Sequence, residues 1–104
     1  MMELKQEARQ DWLVISVRGR ADSETADRLE QELRAAVEQH KKVAVDIRGV
    51  DYISSAGLRA LIQAARAAQG RSELQVCSPS ASVQRVFDMS GLQNLVNIQG
   101  ELPC

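Results

Sequence analysis

The segment Val43 to Ala68, V-A-V-D-I-R-G-V-D-Y-I-S-S-A-G-L-R-A-L-I-Q-A-A-R-A-A, joins an apolar run to an alanine-rich helical pattern through a short polar elbow. Val43 to Ile47 is nearly continuously apolar, as expected of a central strand covered on both faces. Beyond the elbow, Leu58, Leu61, Ile62 and Ala65 recur at i, i+3, i+4 and i+7, the spacing of one buried helix face. A covered strand that runs straight into a helix is half of a parallel crossover, so the chain must supply neighbouring strands on which to lay that helix.

The remaining segments supply them. Glu3 to Ala8 and Trp12 to Arg18 alternate in polarity about a polar turn at Arg9 to Asp11, which predicts an antiparallel hairpin. Asp22 to Gln39 reads as a helix with Ala26, Leu29, Leu33, Ala36 and Val37 on one face. The helix after the elbow ends near Gly70, Leu74 to Cys77 forms a strand, Ser80 to Met89 a third helix stopped by Ser90 and Gly91, and Leu95 to Ile98 a last strand. An opening hairpin followed by this alternation predicts an α/β fold, a mixed sheet with right-handed parallel crossovers. No linker or repeat divides residues 1–104, and 44% hydrophobic content suffices for one domain with one core.

Ser54 and Ser55 stand immediately before the second helix, so one of them is expected to cap it. The unpaired N–H groups of a helix start carry roughly half a positive charge and stabilise an exposed anion by about 0.3–1 kcal/mol. A phosphoserine is therefore tolerated there. Its added charge of about −1.5 to −2 and its hydration shell would disrupt a partner docked over the elbow. The outward face of this helix is expected to show Arg59, Gln63 and Arg66 beside the small residues Ala56, Ala60, Ala64 and Ala67, which would let a partner helix approach closely. Gly57, an unfavourable residue one turn into a helix, is expected to keep the Ser55 hydroxyl open. Asp22 and Ser23 are expected to cap the first helix.

Several function classes lack their chemistry. A formal charge of −1 gives no electrostatic footprint for nucleic acid or an anionic membrane, so a protein partner is expected. No apolar run of 18 residues and no signal-peptide pattern occur, and a cytoplasmic location follows as the expectation. His40, the only histidine, reads as the C-terminal cap of the first helix. A zinc centre would lack ligands, and a nucleophilic Ser or Cys would lack its base. Cys77 and Cys104 read as plain thiols, the first half-buried at a strand end and the second exposed. Phosphate-binding glycine loops are missing. A small hydrolase or nucleotide-binding enzyme is the reading these features speak against, and no cofactor or metal is expected.

Three blocks then carry a family resemblance. The elbow is similar to the D-S-[ST]-G-L signature of the anti-sigma factor antagonists of the STAS family (sulfate transporter and anti-sigma antagonist). V-R-G-R-A-D-S-E-T-A (Val17 to Ala26) resembles that family's strand leading into its first helix, and S-P-S-A-S-V-Q-R-V-F-D-M-S-G-L (Ser78 to Leu92) its third helix and turn. The resemblance implies the STAS fold, with helices mainly on one face of the sheet. It places the kinase target at Ser55, with Ser54 as the second candidate. Ser54 stands where the signature has Asp, and Ala56 where it has Ser or Thr. By the same resemblance the loop Gly19 to Thr25, with Asp22, Ser23 and Thr25, joins Ser54, Ala56, Gly57, Arg59, Ala60 and Gln63 in partner contact. Family members usually carry a further C-terminal helix, whereas here Pro103 and Cys104 follow soon after the last strand, which would leave part of the sheet less covered.

The implied function is partner switching by a monomer or weak dimer that catalyses nothing itself. Unphosphorylated, it binds an anti-sigma factor that is also a GHKL-type serine kinase and so frees the sigma factor; phosphorylated on Ser55, it lets go, and a PP2C-type phosphatase resets it. The alternative is a non-phosphorylated STAS scaffold module in a lipid-transport or signalling complex.

Overall fold

A computed structural model describes residues 1–104. The chain order is β1 (Met2–Arg9), β2 (Trp12–Ala21), α1 (Ala26–Gln39), β3 (Lys42–Ile53), α2 (Ser55–Ala68), β4 (Glu73–Cys77), α3 (Ala81–Ser90), a 3-10 turn (Leu92–Asn94) and β5 (Asn97–Gln99). The five strands lie in sequence order, β1 antiparallel to β2 and every later pair parallel, as the hairpin and crossovers predict. All three helices bury their apolar stripes in one cluster with Leu13, Ile15, Val17, Val43, Val45, Ile47, Leu74 and Val76, hence on one face of the sheet. The likeness in fold class is therefore to a sheet with helices on a single side.

The third strand runs six residues further than its apolar run indicates. Its pairing with β2 shifts register twice, between Ser16 and Arg18 and between Gly19 and Arg20, each time placing one extra residue in β3. The inward positions consequently fall at Val43, Val45, Ile47, Val50 and Ile53. Two bulges turn a period of two into a period of three, which hides the strand from an alternation test while increasing its twist. The bulged half carries the strand to the very start of α2.

Other boundaries move for identifiable reasons. The first helix begins at Ala26 and not at Asp22, because Asp22 to Thr25 form a turn of their own: the Glu24 N–H donates to Asp22 Oδ1 (3.0 Å) and the Asp22 N–H to Thr25 Oγ1 (3.0 Å). Ser80 is the cap of α3, accepting from the Val83 N–H, and Gly91 (φ 77°) ends that helix in the left-handed conformation that glycine adopts without strain. The 3-10 turn then buries Leu92 completely, so the last strand starts at Asn97 in place of Leu95. His40 does cap α1, its N–H donating to the Ala36 carbonyl, while its own carbonyl accepts from the Ser72 hydroxyl (2.7 Å).

The opposite face of the sheet is not bare. Trp12, Val14, Ala44 and Cys77 form a small buried cluster there, and Leu102 and Cys104 of the segment after β5 pack on it. Cys77 is fully buried rather than half-buried, and Cys104 is partly buried rather than exposed. Burial pushes the Cys77 thiol up to about 11, with the negative charges of Asp46 and Cys104 adding to it. A thiol held neutral by the fold contributes stability that is fully present below its unfolded pKa and is lost as pH rises through the folded one. Denaturant unfolding is expected to show stability falling between about pH 9 and pH 11, a slope that Cys77→Ala flattens. Equal slopes in the two proteins would show that Cys77 ionisation does not limit alkaline stability.

Candidate functional site

The junction between β3 and α2 is built by the chain's own backbone needs. Ser54 is the cap: its backbone is extended, its Oγ accepts from the Gly57 N–H (3.3 Å), and its carbonyl accepts from the Leu58 N–H (2.9 Å). That leaves Ser55 as the first helical residue, exposed, its hydroxyl engaged in no hydrogen bond within the chain. The two serines thus divide their roles. One holds the helix start, and the other presents a free hydroxyl beside unpaired helix N–H groups.

The loop before α1 lies directly against this elbow. The Ser54 N–H donates to the Ala21 carbonyl (2.9 Å), and β2 pairs with β3 through Arg20 opposite Tyr52 and Ala21 opposite Ile53. Asp22 and Ser23 therefore reach the site without capping α1, whose cap position is Thr25 with no side-chain cap bond. Thr25 instead braces the loop, its hydroxyl donating to the Arg20 carbonyl (2.8 Å). Burial opposes the Asp22 charge, yet the Glu24 N–H, the Arg20 side chain and the Thr25 hydroxyl together hold its carboxyl below the usual aspartate value.

Two residues join the site that the sequence pattern did not single out. The Arg20 guanidinium lies over the Tyr52 ring, 4.3 Å from its centroid, and its Nε is 3.4 Å from Asp22 Oδ2. Tyr52 is one of the few large apolar side chains left open, at 43% exposure. An aromatic on the residue pair before the serines was the available signal, obscured because the bulges made β3 look finished at Ile47.

The outward face of α2 differs from expectation. Arg59 and Arg66 are exposed, and Ala56 and Gln63 partly so. Gly57, Ala60 and Ala64 are buried, which removes Gly57 and Ala60 from direct partner contact. The buried stripe is centred on Gly57, Ala60, Leu61, Ala64, Ala65 and Ala68, leaving Leu58 and Ile62 on its flank, only partly covered. Small residues here bring α2 close to the sheet and to α1. Gly57 is the tightest point: a Cβ added to it would run into the Ala21 carbonyl oxygen and come within 2.8 Å of its carbon. The glycine is required by a backbone contact and not by access to Ser55.

Nothing at the elbow resembles a hydrolytic centre. His40 sits before β3 and the serines after it, at opposite ends of a 12-residue strand. No group of three or more His, Cys, Asp or Glu side chains is placed to hold a metal ion. No helix is long and apolar enough to cross a membrane.

Two variants follow from this geometry. Gly57→Ala is expected to destabilise by about 1–3 kcal/mol despite alanine's better helix propensity, since the obstacle is backbone and cannot swing aside. Ser54→Ala loses the cap and is expected to cost about 1 kcal/mol. Thermal melts decide both: a Gly57→Ala protein that melts at or above the parent temperature would show that α2 lifts freely from Ala21.

Comparison with known proteins gives the chain its relatives. The family model described as "Mlab, STAS domain" matches residues 4–97. A Bordetella bronchiseptica protein named as an anti-sigma factor antagonist, BtrV, is 35% identical over 96 residues, covering 90% of this chain and 83% of that one. The crystal structure of an anti-sigma factor antagonist from Mycobacterium paratuberculosis superposes with a TM-score of 0.90 at 23% identity, covering 98% of this chain and 88% of that one. The phosphorylated form of the Bacillus cell fate determinant SpoIIAA superposes at 0.71 with 17% identity, covering 95% and 93%. A family match over most of the sheet and helices, together with the shared fold, means that the chain belongs to the STAS domain family.

Proposed function

We propose that this protein is an anti-sigma factor antagonist that works by partner switching, with Ser55 as its phosphorylation site. The observation that carries the reading is the division between the serines. Ser54 makes the cap bond and Ser55 makes none, so a phosphate on Ser55 leaves the helix start and the Gly57–Ala21 contact intact. The modification then changes surface charge by about −1.5 to −2 without removing a structural hydrogen bond. Such a group acts on binding and spares the fold.

The partner is an anti-sigma factor of the GHKL kinase type, which supplies the ATP and Mg2+; a PP2C-type phosphatase restores the free hydroxyl. The contact surface is formed by Ser55, Ala56, Arg59 and Gln63 of α2 with Arg20, Asp22, Ser23 and Tyr52 beside them. Thr25, Ser54, Gly57 and Ala60 support it from beneath. The protein acts in the cytoplasm as a single module and catalyses nothing itself. Support comes from the relative named as an antagonist and from the fold shared with a protein known in a phosphorylated form.

A second reading, a scaffold module without phosphorylation, is favoured by Ser54 in the Asp position of the signature. The cognate kinase with ATP separates the two. One phosphate on Ser55, located by fragment mass mapping, is expected. Ser55→Ala is expected to keep the fold and the kinase complex, and Ser55→Glu to weaken the complex at least about tenfold, an effect of about 1.4 kcal/mol. Phosphate found only elsewhere, or a Ser55→Glu protein that binds as tightly as the parent, would overturn the switching reading.

A further inference from the structure

The sheet face turned away from the helices carries a second feature unrelated to the elbow. Cys77, at the end of β4, is completely buried among Trp12, Val14 and Ala44. The chain returns to it from β5 through a fixed path. The Ser78 N–H donates to the Gln99 carbonyl (2.8 Å), and the Ser78 hydroxyl to the Gly100 carbonyl (3.0 Å). With Cys77 paired to Gln99 in the sheet, the following residues start beside Cys77 and fold back over its face, where Leu102 and Cys104 pack on the cluster. Two thiols separated in sequence by α3, the 3-10 turn and β5 thus share one small apolar patch.

We propose that Cys77 and Cys104 are a dithiol pair that closes into an intramolecular disulfide, stapling the segment after β5 across the sheet, by exchange with a small-molecule disulfide of the glutathione class. Cys104, the more accessible of the two, attacks first as its thiolate, breaking the reagent's S–S bond and expelling one glutathione thiolate. Cys77 then loses its proton and attacks the Cys104 sulfur of the mixed disulfide, expelling the second glutathione. Two protein thiols give up two electrons and two protons, and one glutathione disulfide becomes two thiols. Burial, which keeps the Cys77 thiol protonated, makes this second step the slow one. A reductant reverses the sequence and frees the tail.

The test uses the full chain with oxidised glutathione, followed by desalting and intact mass. The expected product is a monomer lighter by two hydrogen masses, with no titratable thiol and a Cys77–Cys104 cross-linked peptide in a non-reducing digest. Trp12, the only tryptophan, lies in the same cluster and reports closure through a change in fluorescence that dithiothreitol reverses. Closing the loop is expected to raise the melting temperature by roughly 5–10 °C. Cys77→Ser is expected to stop at a stable glutathione adduct on Cys104, and Cys104→Ser to show neither adduct nor closure. A parent protein that stops at the adduct, or that gives only a dimer linked through Cys104, would overturn the proposal. These readouts are independent of Ser55 and of any kinase, so they stand apart from the test of the switching reading.

Discussion

The Ala21 carbonyl is the point on which the elbow depends. It ends β2, accepts the N–H of Ser54 as β3 turns into α2, and is the surface against which the backbone of Gly57 rests. Because one oxygen receives the cap residue and abuts the third helical position, the start of α2 is fixed relative to β2 in both distance and rotation. The small residues that follow, Ala60, Ala64 and Ala68, continue that close approach along the helix. The rotation set at Gly57 decides which side chains reach the solvent: Ser55 and Arg59 outward, Leu61 and Ala65 inward. A side chain at position 57 would tilt the helix and alter the presentation of Ser55 without touching it.

The two bulges in β3 serve the same junction. A regular strand would continue the inward alternation past Ile47 to Gly49 and Asp51, burying a carboxylate without a partner, which is costly. With one extra residue at each register shift, Val50 and Ile53 face the core, while Asp51 and Tyr52 remain exposed. Tyr52 is thereby set opposite Arg20, and the stacked pair forms a wall beside the serines. The irregular half of β3 is what turns a buried central strand into the base of a surface site.

How much of this is legible in the sequence follows from where regular periods hold. The hairpin and the stripe of α1 obey periods of 2.0 and 3.6 residues, the first half of β3 shows as a nearly continuous apolar run, and each is read correctly in kind and place. The failures sit where a local interaction overrides the period. Asp22 looks like a helix cap because its residue type is right, but its carboxylate is occupied by the Glu24 N–H inside a turn. Gly57 looks like an opening for a partner because nothing in one dimension reveals the Ala21 carbonyl lying against it. Cys77 and Cys104 look unrelated because their meeting depends on where the chain goes after β5. The family resemblance locates the elbow and its serines. It does not tell which serine caps and which stays free; that assignment needs the hydrogen bond from the Gly57 N–H to Ser54.

Ser54 in place of Asp has an electrostatic consequence. An aspartate cap would satisfy the same Gly57 N–H while placing a full negative charge next to Ser55, already partly neutralising the helix end. A serine cap satisfies the N–H without that charge, so the start of α2 keeps its positive end unmatched. Asp22, on the facing loop, is engaged by Arg20 and by the Glu24 N–H, and so is directed back into its own turn. Neither serine of the unphosphorylated elbow carries a charge, and the neighbouring charges are mixed: Arg20 and Arg59 on one side, Asp22, Glu24 and Asp51 on the other. A phosphate on Ser55 would place the first charge of the serine pair at the helix start, where an aspartate-capped elbow would add to a charge already present. The change in charge is the same in both cases, but only in the serine-capped form does it start from an uncharged serine pair, and a docked partner that packs against that uncharged helix start would be the one most strongly expelled.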